Sequence, residues 1–195
     1  MPDKITGFRF FFLLALALAQ AAQGQPPFDR TGQVFAIAQN TNTLDHFRVA
    51  PGFNTLDLDP LAALPAGGLD AIGFRNTDNL VYGIHPGNNR LYRIGKSGAA
   101  QDLGPAGLDN TLFYLAGDVS PDGAYLLSVG SKSGGSDVHL AKTDLAGGIY
   151  TTQFTPVTYN GQLADLAFDP FSGKIYGYDA KGGQVVTLNE NTGAI

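Results

Sequence analysis

From Leu69 to Pro105 the chain alternates between short apolar runs and clusters of turn residues, with no helical period anywhere. "LDAIGFR" is an apolar run with small residues, and Asn76-Thr77-Asp78-Asn79 follows as a turn. "LVYGIH" is a second run, closed by Pro86-Gly87-Asn88-Asn89. "RLYRIG" alternates in its side chains, Lys96-Ser97-Gly98 turns again, and "AAQDLG" completes the unit. This spacing predicts four short strands joined by hairpins.

The pattern recurs. "LDAIGFRNTDNLVYGIHP" (Leu69 to Pro86) aligns without a gap on "LADLAFDPFSGKIYGYDA" (Leu163 to Ala180). Leu69, Phe74, Tyr82 and Gly83 recur as Leu163, Phe168, Tyr176 and Gly177. A third copy, "LAGDVSPDGAYLLSVGS", starts at Leu115 and needs one gap near Pro121. Units of 40 to 50 residues, each of four strands, predict the blades of a β-propeller. The expected fold class is therefore all-β, with blades at 69–105 and 115–157 and an incomplete blade at 163–195. Residues 33–61 ("QVFAIAQ", "TLDHFRVA", "NTLDLDPL") form a partial blade without an innermost strand, and "LAALPAGG" links it to the next. About three and a half blades fall below the usual four to eight. The expectation is an open arc, truncated at the C-terminus, with a domain over 25–195 that self-associates through unpaired edges.

Within a blade, Ile72 with Phe74, and Leu166 with Phe168, are expected to pack between neighbours. Tyr82 and Tyr176 are expected to bury their rings while the hydroxyls reach polar partners. Gly83 and Gly177 are expected to mark close backbone approach near the axis.

Composition agrees with strands. Glu190 is the one glutamate beside sixteen aspartates, and there are 13 Phe and 8 Tyr. Asp serves turns, whereas Glu favours helix interiors. Ahead of the repeats, Lys4 and Arg9 precede an apolar stretch from Phe10 to Ala19, and Ala22-Gln23-Gly24 fits a small-x-small cleavage site, as does Ala19-Gln20-Ala21. Residues 1–24 read as a signal peptide, because ten apolar residues are too few to span a bilayer. The expected location is secreted, periplasmic or at the cell surface. With no cysteine there is neither a lipidation site nor a disulfide framework, and an exported chain of that kind leans toward a bacterial source. Removing Asp3, Lys4 and Arg9 leaves 10 basic against 16 acidic residues, a charge of −6. An acidic surface without a basic cluster argues against nucleic acid or an anionic membrane as partner.

"LDAIGFRNTDNLVYGIHPGNNRLYRIGKSG", "LAGDVSPDG" and "LADLAFDPFSGKIYGYD" together resemble an exported repeat family, the domain of unknown function 6923. The resemblance covers most of Gln33 to Ile195. It implies a β-propeller and a surface or secreted module, and it brings no catalytic residues. Ser120-Pro121-Asp122-Gly123 is shared more loosely with propellers resembling TolB.

Little chemistry rises above this frame. His46, His85 and His139 fall in different units without metal spacing. No G-x-S-x-G elbow occurs, and "KSGGSD" (Lys132 to Asp137) has no following helix to hold phosphate. Asn76, Asp78 and Asn79 miss the Ca²⁺-loop pattern and read as turn residues. One set of carboxylates remains. Asp70, Asp118 and Asp165 lie on the innermost strands expected to line the channel, where they would hold Ca²⁺ or bind a cationic or sugar ligand. Their registers differ, so they need not share a face. Two functions follow. The first is a non-enzymatic exported module that binds or displays a protein or carbohydrate. The second is a propeller hydrolase or lactonase with a divalent metal over the channel. The signal segment makes a direct prediction. N-terminal sequencing of the mature protein is expected to begin near Gln25, and an intact Met1 on a cytoplasmic protein would refute export.

Overall fold

The computed structural model describes residues 25–28, 34–38, 41–49, 56–96, 99–133 and 137–195, and every regular element among them is a strand. The signal segment, residues 1–24, lies outside the described residues. The first sheet holds β1 (Val34–Ala38), β2 (Thr43–Val49) and β3 (Leu56–Ala63). The second holds β4 (Asp70–Arg75), β5 (Leu80–Ile84), β6 (Leu91–Ile94) and β7 (Gln101–Gly104). The third holds β8 (Phe113–Val119), β9 (Tyr125–Ser131), β10 (His139–Asp144) and β11 (Thr152–Pro156). The fourth holds β12 (Leu163–Phe168), β13 (Ile175–Asp179) and β14 (Gln184–Leu188). Each sheet is an antiparallel meander in chain order, and β4, β8 and β12 run side by side as the innermost strands of successive blades. The fold is an all-β propeller arrangement. β3 runs on through Pro60 to Ala63, past the boundary expected at 61. It is the outer strand of its sheet, a position at which strands tolerate proline.

The apolar pattern follows from how many faces each sheet buries. Along β9, Leu126 packs with Tyr82 and Tyr114 against the second sheet, while its neighbour Leu127 packs with Leu166 and Ile175 against the fourth. Along β5, Val81 joins Phe28 and Leu44 on one side and Tyr82 joins Val119 on the other. Sheets covered on both faces require continuous apolar strands, and all five residues of β5 are buried. In β13 buried and exposed residues alternate, with Ile175 facing the third sheet and Tyr176 turned away from it. Tyr176 is thus not the buried counterpart of Tyr82. The two share a register, opposite Ala167 and Gly73, but Tyr82 is 1% exposed and Tyr176 37%. Only the Tyr82 face is covered by a following sheet among the described residues. The Tyr82 hydroxyl donates to Asp78 Oδ2 at 2.7 Å, the polar partner a buried tyrosine needs.

The strand pairings also correct the alignment of the third copy. Val119 opposes Leu126 as Phe74 opposes Val81 and Phe168 opposes Ile175, so all three hairpins have the same length. No gap is needed at Pro121. Tyr114, opposite Gly130, occupies the position of Leu69 and Leu163, and it is 1% exposed. Leu115 is 53% exposed. A single step of 45 residues therefore carries Leu69 to Tyr114, Gly73 to Asp118, Phe74 to Val119 and Gly83 to Ser128.

This register shows which glycine the axis requires. A Cβ on Gly83 or Gly177 would meet side chains (Ile72, or Leu188 and Leu163), and the third blade accepts Ser128 at that position. The close backbone approach expected there lies instead at Gly73. A Cβ on Gly73 would fall 2.4 Å from the Val119 nitrogen and 2.9 Å from the Asp118 Cα. Backbone cannot yield as a side-chain tip can. Gly73→Ala is expected to cost about 1–3 kcal/mol in urea unfolding, as overpacking does, and more than Gly83→Ala. Equal effects of the two substitutions would show that the seam is not set at Gly73.

Candidate functional site

The three histidines stay in separate sheets or their loops. His85 Nε2 meets the Ala66 carbonyl at 2.9 Å, and its Nδ1 accepts from the Gly87 amide at 3.0 Å. His139 pairs with Asp137 at 2.9 Å, and His46 lies on β2.

The three aspartates occupy three different positions of the inner strand. By register, Asp165 corresponds to Ala71, Asp118 to Gly73, and Asp70 to Leu115. Asp70 and Asp165 line a central cavity of about 190 Å³ together with Ile37, Ile72, Leu115 and Gly117. Asp118 turns elsewhere. Its Oδ1 accepts from the Val119 amide at 2.8 Å, and its Oδ2 accepts from the Phe168 amide of β12 at 2.9 Å. Burial, the largest influence, raises its pKa, the two amides oppose that, and the Asp165 charge adds to it. Burial likewise raises Asp70, against the pull of His85. Asp118 therefore bridges two blades as a backbone acceptor. Among the described residues no three His, Asp or Glu side chains gather as a cation shell would need.

A larger opening lies at the junction of the third and fourth sheets. This cleft of about 700 Å³ is bounded by Phe113, Leu115, Val129, Val138 and Leu163 on its apolar side. Ser131, Lys132, Ser133, Asn160, Gln162 and Lys181 edge it with polar groups. Asp179, buried at the end of β13, builds the wall formed by residues 159–162. It accepts from the Gln162 amide at 2.8 Å, the Tyr159 hydroxyl at 2.8 Å and the Lys181 amide at 3.0 Å. The Gln162 amide first, then the Tyr159 hydroxyl, hold its carboxyl at about 2. Gly161 lets the chain fold over the Tyr159 ring, which a Cβ there would overlap.

The same junction is fastened on its far side. Glu190 lies in the turn after β14. It accepts from the Tyr125 hydroxyl at 2.5 Å and from Lys142 Nζ at 3.2 Å, while that ammonium stands 3.8 Å over the Tyr125 ring. Burial and then the Glu190 bond push the Tyr125 pKa up.

The cleft residues were not singled out by sequence. One signal was present: Phe113, Tyr114 and Leu115 are consecutive apolar residues on a strand whose sides alternate. Tyr114 points into the core and its neighbours are exposed, Phe113 to 49%.

A family described as "Repeat of unknown function (DUF6923)" matches residues 32–195. The chain belongs to this family. No curated protein sequence matches it. Among solved structures, this DUF6923 chain is similar to "putative TolB from Agrobacterium tumefaciens" with TM-score 0.53 and 14% identity, over 86% of this chain and 58% of that one. It is similar, with TM-score 0.53 and 13% identity, to a protein titled as a gluconolactonase from Xanthomonas campestris, over 84% of this chain and 57% of that one. The DUF6923 chain thus spans under two thirds of these structures, and likeness at such identity shows the propeller fold alone.

The seam at Asp118 yields a prediction. Asp118→Ala removes the acceptor of the Phe168 amide, and an unmet buried donor costs about 1–3 kcal/mol. Chemical unfolding is expected to show a loss of that size, with Asp118→Asn losing less because its amide oxygen still accepts. An unchanged midpoint for Asp118→Ala would show that the bridge carries no load.

Proposed function

We propose that this chain is a non-enzymatic binding module of an exported protein. The observation that carries this reading is the cleft between the third and fourth sheets, which combines an apolar wall with a polar edge in a volume of about 700 Å³. Concave sites of roughly 300–1,000 Å³ with that mixture are the usual form of a small-ligand or peptide site. Export rests on Lys4, Arg9 and the apolar stretch Phe10 to Ala19 in the sequence. No helix among the described residues is long and apolar enough to cross a membrane.

The lactonase reading has a neighbour titled as a gluconolactonase on its side. Its divalent metal finds a poor fit in the inner-strand aspartates. Asp118 has both oxygens engaged with amides, and Asp70 and Asp165 stand at different register positions. Calorimetry separates the two readings. A cation at about 100 times its dissociation constant contributes roughly 2.7 kcal/mol, visible as several degrees in Tm. Ca²⁺ and Zn²⁺ are expected to move Tm by no more than about two degrees, well under that shift. A larger shift abolished by Asp165→Asn, together with hydrolysis of gluconolactone, would overturn the binding-module reading.

A further inference from the structure

We propose that the cleft between the third and fourth sheets receives a peptide C-terminus ending in an apolar residue. This rests on the binding-module reading and names its ligand. Two features point the same way. Phe113 and Leu115 are about half exposed, and they stand beside Val129, Val138 and Leu163. The wall is therefore apolar where an inner strand begins. Lys181 supplies a cation at its edge. The Nζ of Lys181 donates to the Asn160 carbonyl at 3.0 Å and to Asn160 Oδ1 at 3.4 Å, both neutral oxygens.

Carboxylates near the cleft are already engaged. Asp137 pairs with Lys132 at 2.5 Å and with His139 at 2.9 Å. Asp179 takes two amides and the Tyr159 hydroxyl. Among the described residues Lys181 is left as a positive charge without an acidic counterpart, next to an apolar wall. The complementary ligand carries a carboxylate directly attached to an apolar group, which is what the last residue of a peptide presents. Ser131, Ser133 and Gln162 on the polar edge supply partners for the amide groups that precede it. An oligosaccharide fits less well. The Tyr159 hydroxyl is spent on Asp179, and most of the wall is aliphatic rather than a flat aromatic platform. Nucleic acid is opposed by the net charge of −5.

Fluorescence anisotropy with labelled pentapeptides ending in Leu or Phe tests this. Each peptide is made as the free acid and as the C-terminal amide. The acid is expected to bind about tenfold more tightly than the amide, the size of one charged contact at a partly desolvated site. Lys181→Met is expected to erase that difference, and Lys132→Met to retain it. Phe113→Ser is expected to weaken acid and amide alike. Circular dichroism establishes that each variant keeps its β signal. Equal binding of acid and amide, an acid–amide difference that survives Lys181→Met, or no anisotropy change up to about 1 mM peptide would overturn the proposal. A parallel glycan array keeps the two readings apart. Glycan binding lost in Phe113→Ser, with no peptide binding, removes the peptide assignment and leaves the binding module standing. Gluconolactone hydrolysis without peptide or glycan binding removes both.

Discussion

The structure depends on how closely one innermost strand can lie against the next. β4, β8 and β12 carry the blades, and everything outside them is reached by hairpins of fixed length. Between β4 and β8 the contact is backbone on backbone at Gly73, with no room for a side chain. Between β8 and β12 the equivalent position is Asp118, whose carboxylate spans the gap to the Phe168 amide. β4 accordingly lies along β8 more extensively than β12 does. The inter-sheet cores, with Tyr82, Tyr114 and Leu126 at one junction and Leu127, Leu166 and Ile175 at the other, are then filled by alternate residues of the same strands.

The hairpin tips reinforce the tighter junction. Arg75 Nε donates to the Gly123 carbonyl at 2.7 Å and Asn76 Nδ2 to the Pro121 carbonyl at 2.8 Å, so the second blade's turn holds the third's. Arg75 also meets Asp78 at 2.9 Å, which in turn receives the Tyr82 hydroxyl. At the looser junction, beside the Asp118 bridge, a peripheral fastening runs through Glu190, Tyr125 and Lys142. The two junctions thus differ in where their polar contacts sit as well as in how near their strands come.

Much of the fold was legible in the amino acids. Turn residues and period-two runs located the strands, and the repeat located the blades, because hairpin chemistry is local. What sequence could not supply was register across a bulge. Leucine matched leucine in the alignment, yet Tyr114 holds the core position and Leu115 faces outward, because each inner strand shifts by a residue near its start. The same limit hid the site. Three aspartates on inner strands look alike in sequence, but a displacement of two or three positions sends Asp118 into the seam and leaves Asp70 and Asp165 at the cavity. Tyr176 shows a second limit. Its position in the strand was readable, but its burial depends on whether another sheet covers that face, which no local pattern encodes.

In mechanical terms, the two junctions are a weld and a strut. The weld at Gly73 has no adjustable part. The strut at Asp118 is one side chain long, and its length sets how far β12 stands from β8 near the axis. The cleft opens at this second junction, between Leu115 and Leu163 on those same strands. A residue that does not line the cleft thus ties together the two strands that bound it. A change of one methylene at position 118 would lengthen that tie, while every group that touches the space within keeps its chemistry.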